Sequence, residues 1–416
     1  MIPDVRKTAQ AAARAARALA LADPEKRDRV LAAMAEDLAD QRPDLLKASE
    51  KDVDEAARAG LPPQLLDRLA LTEKRLTELV EAVDRVRRLP TPIGQVEDEK
   101  VLPDGLKVAR LRIPLGLIAF ICEARPGAPV EAGALAIKSG NGLLVKAGRE
   151  MARTAESLSA VFNRSLAGQG LNPWTVTILP PLDRKTLKDL LSLSGTIDLV
   201  IPRGGEGLIH FVSENSRIPV LKHFKGVCHL YVDQGADLVQ TADLVINGKT
   251  QRPSTCNSLE ALLVHSSEAA ALLPDLGRRL ADLGVTLKAD HAARVYLPAA
   301  EPAAEDDWGR EFLDLILAVK VVPDYQAALD HIAGYGSNHT EVIATRNEAR
   351  AAHFLRAVEA GCVMVNASPR LNDGGSLGLG AEIGISTTRL HAYGPMGLRE
   401  LTTTRFIVTG QGHQRN

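Results

Sequence analysis

The strongest constraint on the fold is a regular alternation of strand-like and helix-like segments. Four short apolar runs are each followed by a longer segment with helical spacing. The pairs are 117–123 with 130–138, 143–147 with 150–166, 175–179 with 184–191, and 197–202 with 206–215. Such βαβ units build a parallel sheet covered by helices, so the pattern predicts an α/β fold with a nucleotide site at the carboxyl ends of its strands.

A second alternating block occupies the later part of the chain. Strands are predicted at 227–233, 261–265, 285–289, 315–321, 341–345 and 362–366, and helices over 236–247, 268–283 and 325–333. Residues 9–88 have apolar residues at three- and four-residue spacing throughout, with breaks at Pro43 and at 60–63. This region is predicted to be helical.

Two further strand signals lie outside these blocks. Residues 96–113 alternate around the turn signal Pro103-Asp104-Gly105, which predicts a β-hairpin, and residues 401–408 form a late β-branched run. A terminal strand of this kind often pairs outside its own domain, so we expect a small β oligomerisation element and a homo-oligomer. The expected divisions are 1–226 (helical N-terminus and cofactor-binding domain, with hairpin 93–114 in the oligomerisation element), 227–370 (catalytic domain) and 371–416 (return segment and oligomerisation strand).

Length and charge bound the function. The 416 residues are enough for two or three domains, and the formal net charge of -2, from 50 basic and 52 acidic residues, gives no sign of a polyanion-binding surface. Nucleic acid is therefore not expected as a partner. No apolar run reaches membrane-spanning length, so no membrane association is expected either.

The cysteines and the N-terminal residues bear on the compartment. Four widely spaced cysteines without a Cys-x-x-Cys pair argue against a disulfide framework and a structural zinc site, so no metal is expected. Residues Met1 to Lys7 lead into an Ala- and Arg-rich segment without an apolar core, and Asp4, Asp23 and Glu25 argue against a transit peptide. We expect a cytoplasmic protein.

The segment 248–257 contains the candidate nucleophile, Cys256. Lys249 and Arg252 precede the thiol, and an apolar run at 261–264 follows it. Nearby cations lower a thiol pKa from about 8.5 and raise the fraction of reactive thiolate. The alternative is a small buried hydrophobe, which is the usual role of a cysteine. The other three cysteines, Cys122, Cys228 and Cys362, lie in apolar runs and are interpreted as core packing.

Two glycine clusters differ in their context. Gly140-Asn141-Gly142 precedes a predicted strand, whereas a dinucleotide fingerprint must follow a strand and open a helix. The segment 203–207 does follow a strand and open a helix, so its backbone is suited to approach a phosphate or nicotinamide. A tight strand-to-helix turn is the alternative interpretation.

Taken together, these segments resemble the gamma-glutamyl phosphate reductase family, also called glutamate-5-semialdehyde dehydrogenase, a branch of the aldehyde dehydrogenase superfamily. The resemblance covers nearly the whole chain, and several motifs in the family's order are more specific than any single glycine or cysteine. The matching segments are 123–126, 138–141, 201–205, 249–253, 256–257, 337–340, 365–368, 378–387 and 394–398.

The resemblance implies an aldehyde dehydrogenase-like fold with a Rossmann-type cofactor domain, an α/β catalytic domain and a small β oligomerisation element. It also implies NADPH-dependent reduction of L-glutamyl 5-phosphate to glutamate 5-semialdehyde in proline biosynthesis, through a thioester on Cys256. A glutamate 5-kinase would supply the labile acyl phosphate. The catalytic segment is Cys256 with Asn257, and the cofactor residues are Lys146, Arg203, Gly204, Gly205 and, at the nicotinamide ribose, Glu311. A solvated carboxylate is the alternative for Glu311.

The substrate brings a phosphate and a carboxylate, so its site needs cations and small polar donors. The matching motifs contain five such residues, each of which has a structural salt bridge or surface position as its alternative: Arg125, Lys249, Arg252, Asn366 and Arg370. The oxidising members of the superfamily have a Glu-Leu-Gly-Gly motif whose glutamate activates the water that hydrolyses the thioester. Residues 222–226 read Lys-His-Phe-Lys-Gly at that place, which favours a reductase over an NAD-linked aldehyde oxidiser.

The sequence departs from the family pattern at three places. Gly127 stands where the family has an asparagine oxyanion donor, Tyr393 replaces an arginine, and 369–372 differs from the usual segment. Two alternatives therefore stay open. Beside the glutamyl phosphate reductase that the resemblance implies, they are a divergent relative that reduces another acyl phosphate and a non-catalytic nucleotide-binding protein of the same fold.

Overall fold

The computed structural model describes residues 4–415, apart from the side chain of Gln64. The chain divides into two compact units. The first contains the described residues up to 222 together with 379–384 and 396–415, and the second contains 223–378 and 385–395. The expected domain limits at 226 and 370 stay predictions, and residues 1–3 of the predicted N-terminal segment lie outside the described residues.

The first unit begins with five helices and continues with alternating strands and helices. Its helices are α1 Val5–Ala20, α2 Pro24–Asp40, α3 Arg42–Arg58, α4 Pro63–Leu69, α5 Glu73–Arg88, α6 Gly127–Lys138, α7 Ala152–Gly168, α8 Arg184–Leu191 and α9 Glu206–Asn215. Its strands are β1 Val96–Val101, β2 Lys107–Pro114, β3 Leu117–Cys122, β4 Gly142–Lys146, β5 Val176–Leu179, β6 Leu199–Arg203 and, from the end of the chain, β16 Thr402–Thr409.

A four-stranded parallel sheet is the centre of this unit, with the strand order β5-β4-β3-β6. Every residue of β3 is buried, as expected for a central parallel strand that helices cover on both faces. The register pairs Ile121 with Lys146 and Cys122 with Arg203. The last residues of β3, β4 and β6 therefore meet at one edge of the sheet, and the predicted α/β pattern is confirmed here.

The N-terminal helical prediction is confirmed, and the predicted break at 60–63 lies between the end of α3 at Arg58 and the start of α4 at Pro63. Pro43 lies in the first turn of α3 and does not end a helix, because proline is tolerated where the backbone N–H has no partner within the helix. The chain breaks instead at Gln41, and a further break at 21–23 separates α1 from α2.

The predicted hairpin and terminal strand form a separate three-stranded antiparallel sheet. β2 lies in the middle and pairs with β1 on one side and with all of β16 on the other. The buried Nδ2 of Asn141 donates to the carbonyl oxygen of Leu401 at 2.8 Å, just before β16. The Gly-Asn-Gly segment is therefore a structural link, in line with its exclusion as a dinucleotide fingerprint.

The second unit repeats the alternation. Its strands are β7 Cys228–Val232, β8 Leu259–His265, β9 Thr286–Ala289, β10 Glu301–Pro302, β11 Ile316–Val322, β12 Thr340–Ala344, β13 Cys362–Val365, β14 Ile385–Ser386 and β15 Gly394–Pro395. Its helices are α10 Leu238–Thr250, α11 Ser266–Asp282, α12 His291–Arg294, α13 Tyr325–Tyr335 and α14 Glu348–Ala357.

Seven of these strands form a parallel sheet with the order β10-β9-β11-β8-β7-β12-β13. β7, β8 and β12 are buried almost throughout, and aliphatic side chains from the strands and from α10 and α11 form the core. The sequence analysis did not identify α14, nor the short antiparallel pair of β14 and β15. Among the described residues, no helix is long and apolar enough to cross a bilayer.

Candidate active site

The candidate nucleophile lies in the second unit, on the loop that joins the end of α10 to the start of β8. We call residues 251–258 the cysteine loop. Cys256 is half-buried, and its thiol is not part of a disulfide bond. The loop is folded on itself, because Thr255 Oγ1 donates to the Arg252 carbonyl at 2.8 Å and the Ser258 N–H donates to the Thr255 carbonyl at 3.0 Å. A folded loop holds the thiol at a fixed place next to the sheet.

Arg370 fastens this loop from outside. Its guanidinium donates to Thr255 Oγ1 at 2.7 Å and to Gln251 Oε1 at 2.9 Å. Burial lowers the pKa of Arg370, the charge of Arg252 lowers it further, and Cys256 acts in the opposite direction. The charges of Arg252 and Arg370 therefore interact with each other, and Arg370 also interacts electrostatically with Cys256. This is an environment that favours thiolate.

Asn257, predicted to act beside Cys256, is buried and points away from solvent. Its Nδ2 donates to the carbonyl oxygens of Asn372 at 3.0 Å and Arg370 at 3.3 Å, while its Oδ1 is buried without a hydrogen-bond partner. The amide thus ties the cysteine loop to the segment 370–372. In this arrangement its donors hold backbone in place, and a catalytic role for its side chain stays a prediction.

The opposite side of Cys256 is covered by Gly226 and Cys228. A Cβ placed on Gly226 would lie 2.0 Å from the Cys256 carbonyl oxygen, so the two backbones touch. Cys228 is fully buried, and its Sγ donates to the same carbonyl at 3.3 Å. Burial raises the pKa of this thiol well above its ordinary value. Cys228 is therefore a packing residue beneath the nucleophile, and Gly226 is a site residue that the sequence analysis missed.

Glu311, predicted at the nicotinamide ribose, is linked to Cys256 through that glycine. Its Oε1 accepts the Gly226 N–H at 3.0 Å. The neighbouring Lys225 donates to the Gly309 carbonyl at 2.6 Å, which fixes the same two segments to each other a second time. Glu311 is thus oriented by the backbone that packs on the nucleophile, and its ribose contact stays a prediction.

The structure does not fit the prediction that Lys249 binds substrate. Lys249 and Glu260 form an ion pair of 2.8 Å, and both side chains are completely buried. Burial lowers the pKa of Lys249 and raises the pKa of Glu260 to about 7. No part of the ammonium reaches solvent, so the structural salt bridge that was its alternative is what the structure shows. Glu260 had not been singled out.

Asn366 is also used internally. Its Nδ2 donates to the Thr345 carbonyl at 2.8 Å and its Oδ1 accepts the Thr345 N–H at 2.9 Å. Both ends of the amide therefore close the end of β12 onto the end of β13. A substrate contact for Asn366 would have to replace these two hydrogen bonds.

Backbone strain is concentrated in the segments that carry the family resemblance. Five described residues other than glycine have positive φ, and three of them lie in the segments named above: Ala124, Asn338 and Asn366. A fourth, Leu313, lies two residues after Glu311. Such conformations cost about 1–3 kcal/mol each and persist only where the surroundings fix them. In Ala124 the fixing contact is visible, since its N–H donates to Glu150 Oε1 at 2.6 Å. Arg125 follows as an exposed residue of the first unit.

Four of the five predicted cofactor residues, those other than Glu311, lie at the carboxyl edge of the first unit's sheet. Lys146 ends β4 and Arg203 ends β6, while Gly205 is the N-cap of α9. A Cβ at Gly204 would lie 2.4 Å from the Glu123 carboxylate, which also accepts the Gly205 N–H at 3.2 Å. The N-terminus of α9 is therefore stabilised by the protein's own carboxylate. The cofactor role of these residues stays a prediction.

A cleft of about 390 Å³ opens beside the same edge, between the ends of β4 and β5 and the start of α7. Ala147, Gly148 and Pro180 are among its lining residues. Arg149 follows immediately as an exposed cation and lines a neighbouring cavity of about 630 Å³. The sequence analysis had not singled out Arg149. Among the described residues, no cluster of three or more His, Cys, Asp or Glu side chains is arranged to hold a metal ion.

Comparisons with known proteins agree with this geometry. The family model described as "Aldehyde dehydrogenase family" matches residues 3–296. A gamma-glutamyl phosphate reductase of Anaeromyxobacter sp. (strain K) is 50% identical over 416 residues, with 99% of this chain and 97% of the relative covered. A protein of the same name from Thermus thermophilus is 51% identical over 389 residues, with 94% of each chain covered.

A solved structure of a protein with the same name also matches this chain. The crystal structure of gamma-glutamyl phosphate reductase from Thermotoga maritima superposes with a TM-score of 0.97 at 40% sequence identity, and the match covers 100% of both chains. The likeness extends over the whole chain and exceeds what a shared fold alone requires.

Proposed function

We propose, from the premise that this chain belongs to the gamma-glutamyl phosphate reductase family of aldehyde dehydrogenases, that it reduces L-glutamyl 5-phosphate to L-glutamate 5-semialdehyde in proline biosynthesis. NADPH is the proposed reductant and inorganic phosphate the second product. The observation that carries the proposal is the half-buried Cys256 thiol on a folded loop beside Arg370.

The chemistry at Cys256 follows from its surroundings. The thiolate attacks the carbonyl carbon of the acyl phosphate, a thioester forms, and phosphate leaves with the electron pair of the broken C–O bond. Phosphate is a good leaving group, so no strong general acid is required. Arg252 belongs to the cysteine loop and Arg370 is hydrogen-bonded to it, and both cations are suited to the charges of the substrate. Arg125 is the further cation proposed for the substrate.

The oxyanion that develops on the carbonyl oxygen needs a hydrogen-bond donor. The backbone N–H of Cys256 is the proposed donor, since it lies next to the reacting sulfur by covalent geometry. Gly226 and Cys228 hold the carbonyl on the other side of this residue and so keep the peptide from rotating.

The carboxyl edge of the first unit's sheet fits a dinucleotide. Nothing lies within 4 Å of the Cβ position of Gly205 at the helix N-terminus, so a phosphate can approach the backbone there and replace the Glu123 carboxylate as the acceptor of the Gly205 N–H. When bound there, NADPH would supply the hydride that reduces the thioester. Lys146 and Arg149 are the proposed partners of the ribose 2′-phosphate, because a cation near this position accommodates NADP. Glu311 is proposed for the nicotinamide ribose.

A thioester must survive until it is reduced. The glutamate that hydrolyses it in oxidising relatives is replaced by the basic segment 222–226, whose last residue packs on Cys256. Glu311 approaches this region, but its carboxylate accepts the Gly226 N–H. These features favour reduction over aldehyde oxidation.

Gly127, Tyr393 and the segment 369–372 support one narrower alternative, a divergent relative that reduces another acyl phosphate. The rates of reduction of glutamyl phosphate and of shorter or longer acyl phosphates, measured in competition, distinguish a glutamyl phosphate reductase from this divergent relative. A non-catalytic nucleotide-binding protein is the remaining alternative, and any phosphate-dependent turnover excludes it.

The partners are part of the same proposal. A homo-oligomer is supported by the three-stranded sheet, which leaves Val96, Val101, Phe406 and Val408 more than half exposed. A glutamate 5-kinase in the cytoplasm is the proposed supplier, because an acyl phosphate is labile and has to be used where it is made.

The decisive experiment is the reverse reaction on purified protein. Glutamate 5-semialdehyde and NADP should give NADPH only when inorganic phosphate is present, since phosphate must cleave the thioester. Without phosphate we expect at most one turnover per active site. Sustained turnover in phosphate-free buffer would contradict the proposal in favour of an aldehyde oxidiser.

A further inference from the structure

The buried ion pair of Lys249 and Glu260 closes the base of the cysteine loop. Lys249 is in the last turn of α10 and Glu260 is the second residue of β8, so the two side chains join the elements on either side of residues 251–258. Their contact of 2.8 Å is completely shielded from water. The loop that carries Cys256 is therefore fixed at both ends by one charged bond.

The second oxygen of Glu260 extends this contact to another segment. Oε1 accepts the Leu313 N–H at 3.3 Å, and Leu313 has a φ of +55°. Two residues earlier, Glu311 accepts the Gly226 N–H at 3.0 Å, and Gly226 touches the Cys256 carbonyl. The base of the cysteine loop is thus connected to the segment 311–313, and this segment is connected through Gly226 to Cys256.

A buried pair of this kind is a poor source of stability by itself. Desolvation of two charges offsets most of their attraction, and replacing such a pair by neutral groups is often tolerated, whereas removing one partner leaves an uncompensated charge. The charged and titratable groups that face the pair are Cys228 from β7, and Glu311 and Asp314 from the segment after residue 310. The pair therefore contributes mainly by fixing the positions of α10 and β8 relative to each other, and little to the free energy of unfolding.

We propose that Lys249 and Glu260 are positioning residues for the reaction, which fix the Cys256 thiol beside Arg252 and Arg370 and at the same time hold the backbone that carries Glu311. This inference rests on Cys256 being the nucleophile of the proposed function. Neither side chain touches substrate. They act through the cysteine loop and through Leu313.

The test compares the alkylation rate of Cys256 by iodoacetamide, followed by peptide mapping, with the thermal unfolding midpoint and with kcat and KM in the reverse reaction. Glu260→Gln removes the charge but keeps an acceptor for Leu313. We expect at least a tenfold slower alkylation of Cys256 and a similar fall in kcat, with KM for phosphate within threefold. Unchanged alkylation in Glu260→Gln would overturn the inference.

The double variant Lys249→Met/Glu260→Gln separates position from stability. It leaves no uncompensated charge, so we expect its unfolding midpoint to recover relative to Glu260→Gln while alkylation stays slow, because the bond between α10 and β8 is missing. Recovery of both the midpoint and the alkylation rate would show that the pair only stabilises, and would overturn the inference. The double variant also serves if Glu260→Gln does not fold.

Arg350→Met is the matched control. It removes the cation from the Asp233 carboxylate, which is 1% exposed and lies at the opposite end of β7 from Cys228. We expect destabilisation with Cys256 alkylation within twofold of wild type, and an equal slowing here would refute a specific role for Lys249 and Glu260. Because alkylation needs no substrate, a wild-type protein without reverse turnover would refute the proposed function and leave this comparison intact.

Discussion

The α-carbon of Gly226 lies directly against the carbonyl group of Cys256, so that a Cβ at position 226 would come within 2.0 Å of the oxygen and 2.8 Å of the carbonyl carbon. Thirty positions separate the two residues, yet no side chain fits between them. The contact fixes the peptide that follows the reactive sulfur and, through the Gly226 N–H, joins it to Glu311.

Gly226→Ala should displace this peptide. The added methyl group meets backbone atoms that have nowhere to move, so we expect turnover and Cys256 alkylation to fall at least a hundredfold. The measurement is the rate of both reactions on folded protein. Gly334→Ala is the control, because nothing lies within 4 Å of its Cβ position and alanine is favoured in the helix α13. Activity of Gly226→Ala near the wild-type level would show that the cysteine loop tolerates displacement.

Cys256→Ala should abolish turnover and leave NADPH binding intact, because the thiol forms the covalent bond but holds no part of the cofactor. Fluorescence titration with NADPH and the reverse assay measure the two properties. Retention of even a tenth of the wild-type rate would make the nucleophile assignment wrong.

The other cysteines should behave differently. Burial raises the pKa of Cys122 to about 12 and that of Cys362 to about 11, and Cys228 is fully buried. Their alanine variants should lower the unfolding midpoint, and in the folded wild type Cys256 should be alkylated first. Early labelling of Cys122 or Cys228 would contradict this order.

The sequence identified the strands and helices because their apolar spacing is local information. It identified the cysteine loop for the same reason, since thiol and cations lie within eight positions. The contact of Gly226 with Cys256 could not be predicted from the sequence, because it depends on how two segments that are distant in the chain pack against each other. The only signal in the sequence was the basic segment 222–226, which stands where oxidising relatives have the Glu-Leu-Gly-Gly motif.

For Lys249, the sequence contained a signal of burial that the sequence analysis did not use. Ala242, Val245 and Lys249 follow the three- and four-residue spacing of the buried face of α10, and Glu260 stands within the apolar run of β8. A charge at a core position in each of two successive elements predicts a buried pair. The family motif directed attention to substrate binding instead, and that expectation does not fit the structure.

Glu260 should give the protein a recognisable pH dependence. Its pKa is raised by burial to about 7 from an ordinary 4.5. Between these values the folded protein keeps a proton that the unfolded chain has lost, so raising the pH through this window favours unfolding, by a few kcal/mol at most at about 1.4 kcal/mol per pKa unit. We expect the free energy of unfolding of the wild type to fall relative to Glu260→Gln between about pH 4.5 and 7. A constant or increasing difference, measured by urea unfolding, would contradict the raised pKa.

Arg149→Glu should change the cofactor preference. A carboxylate at this place repels the 2′-phosphate and is suited to accept a hydrogen bond from a free ribose 2′-hydroxyl. We expect the ratio of kcat/KM for NADPH to that for NADH to fall about tenfold to a hundredfold, an interaction of roughly 1.4–3 kcal/mol. Arg217→Glu, an equal charge change at an exposed residue after α9, is the control. An unchanged ratio in Arg149→Glu would leave Lys146 as the proposed phosphate partner.

The last prediction concerns Gly127, where the family's asparagine side chain is missing. Loss of one oxyanion donor costs about 10²–10³ in rate when nothing replaces it. Gly127 opens α6, its φ is not positive, and a Cβ there would lie 3.1 Å from a methyl group of Leu79, which has to shift by a few tenths of an ångström. Gly127→Asn should therefore fold, and Gly127→Ala measures the effect of the Leu79 contact alone. If the oxyanion site lacks a donor, kcat on glutamyl phosphate should rise in Gly127→Asn but not in Gly127→Ala. A decrease confined to the asparagine variant would mean that another group already fills the space. A change within twofold in both would show that position 127 does not face the reacting carbonyl, and the alignment of this motif would be wrong.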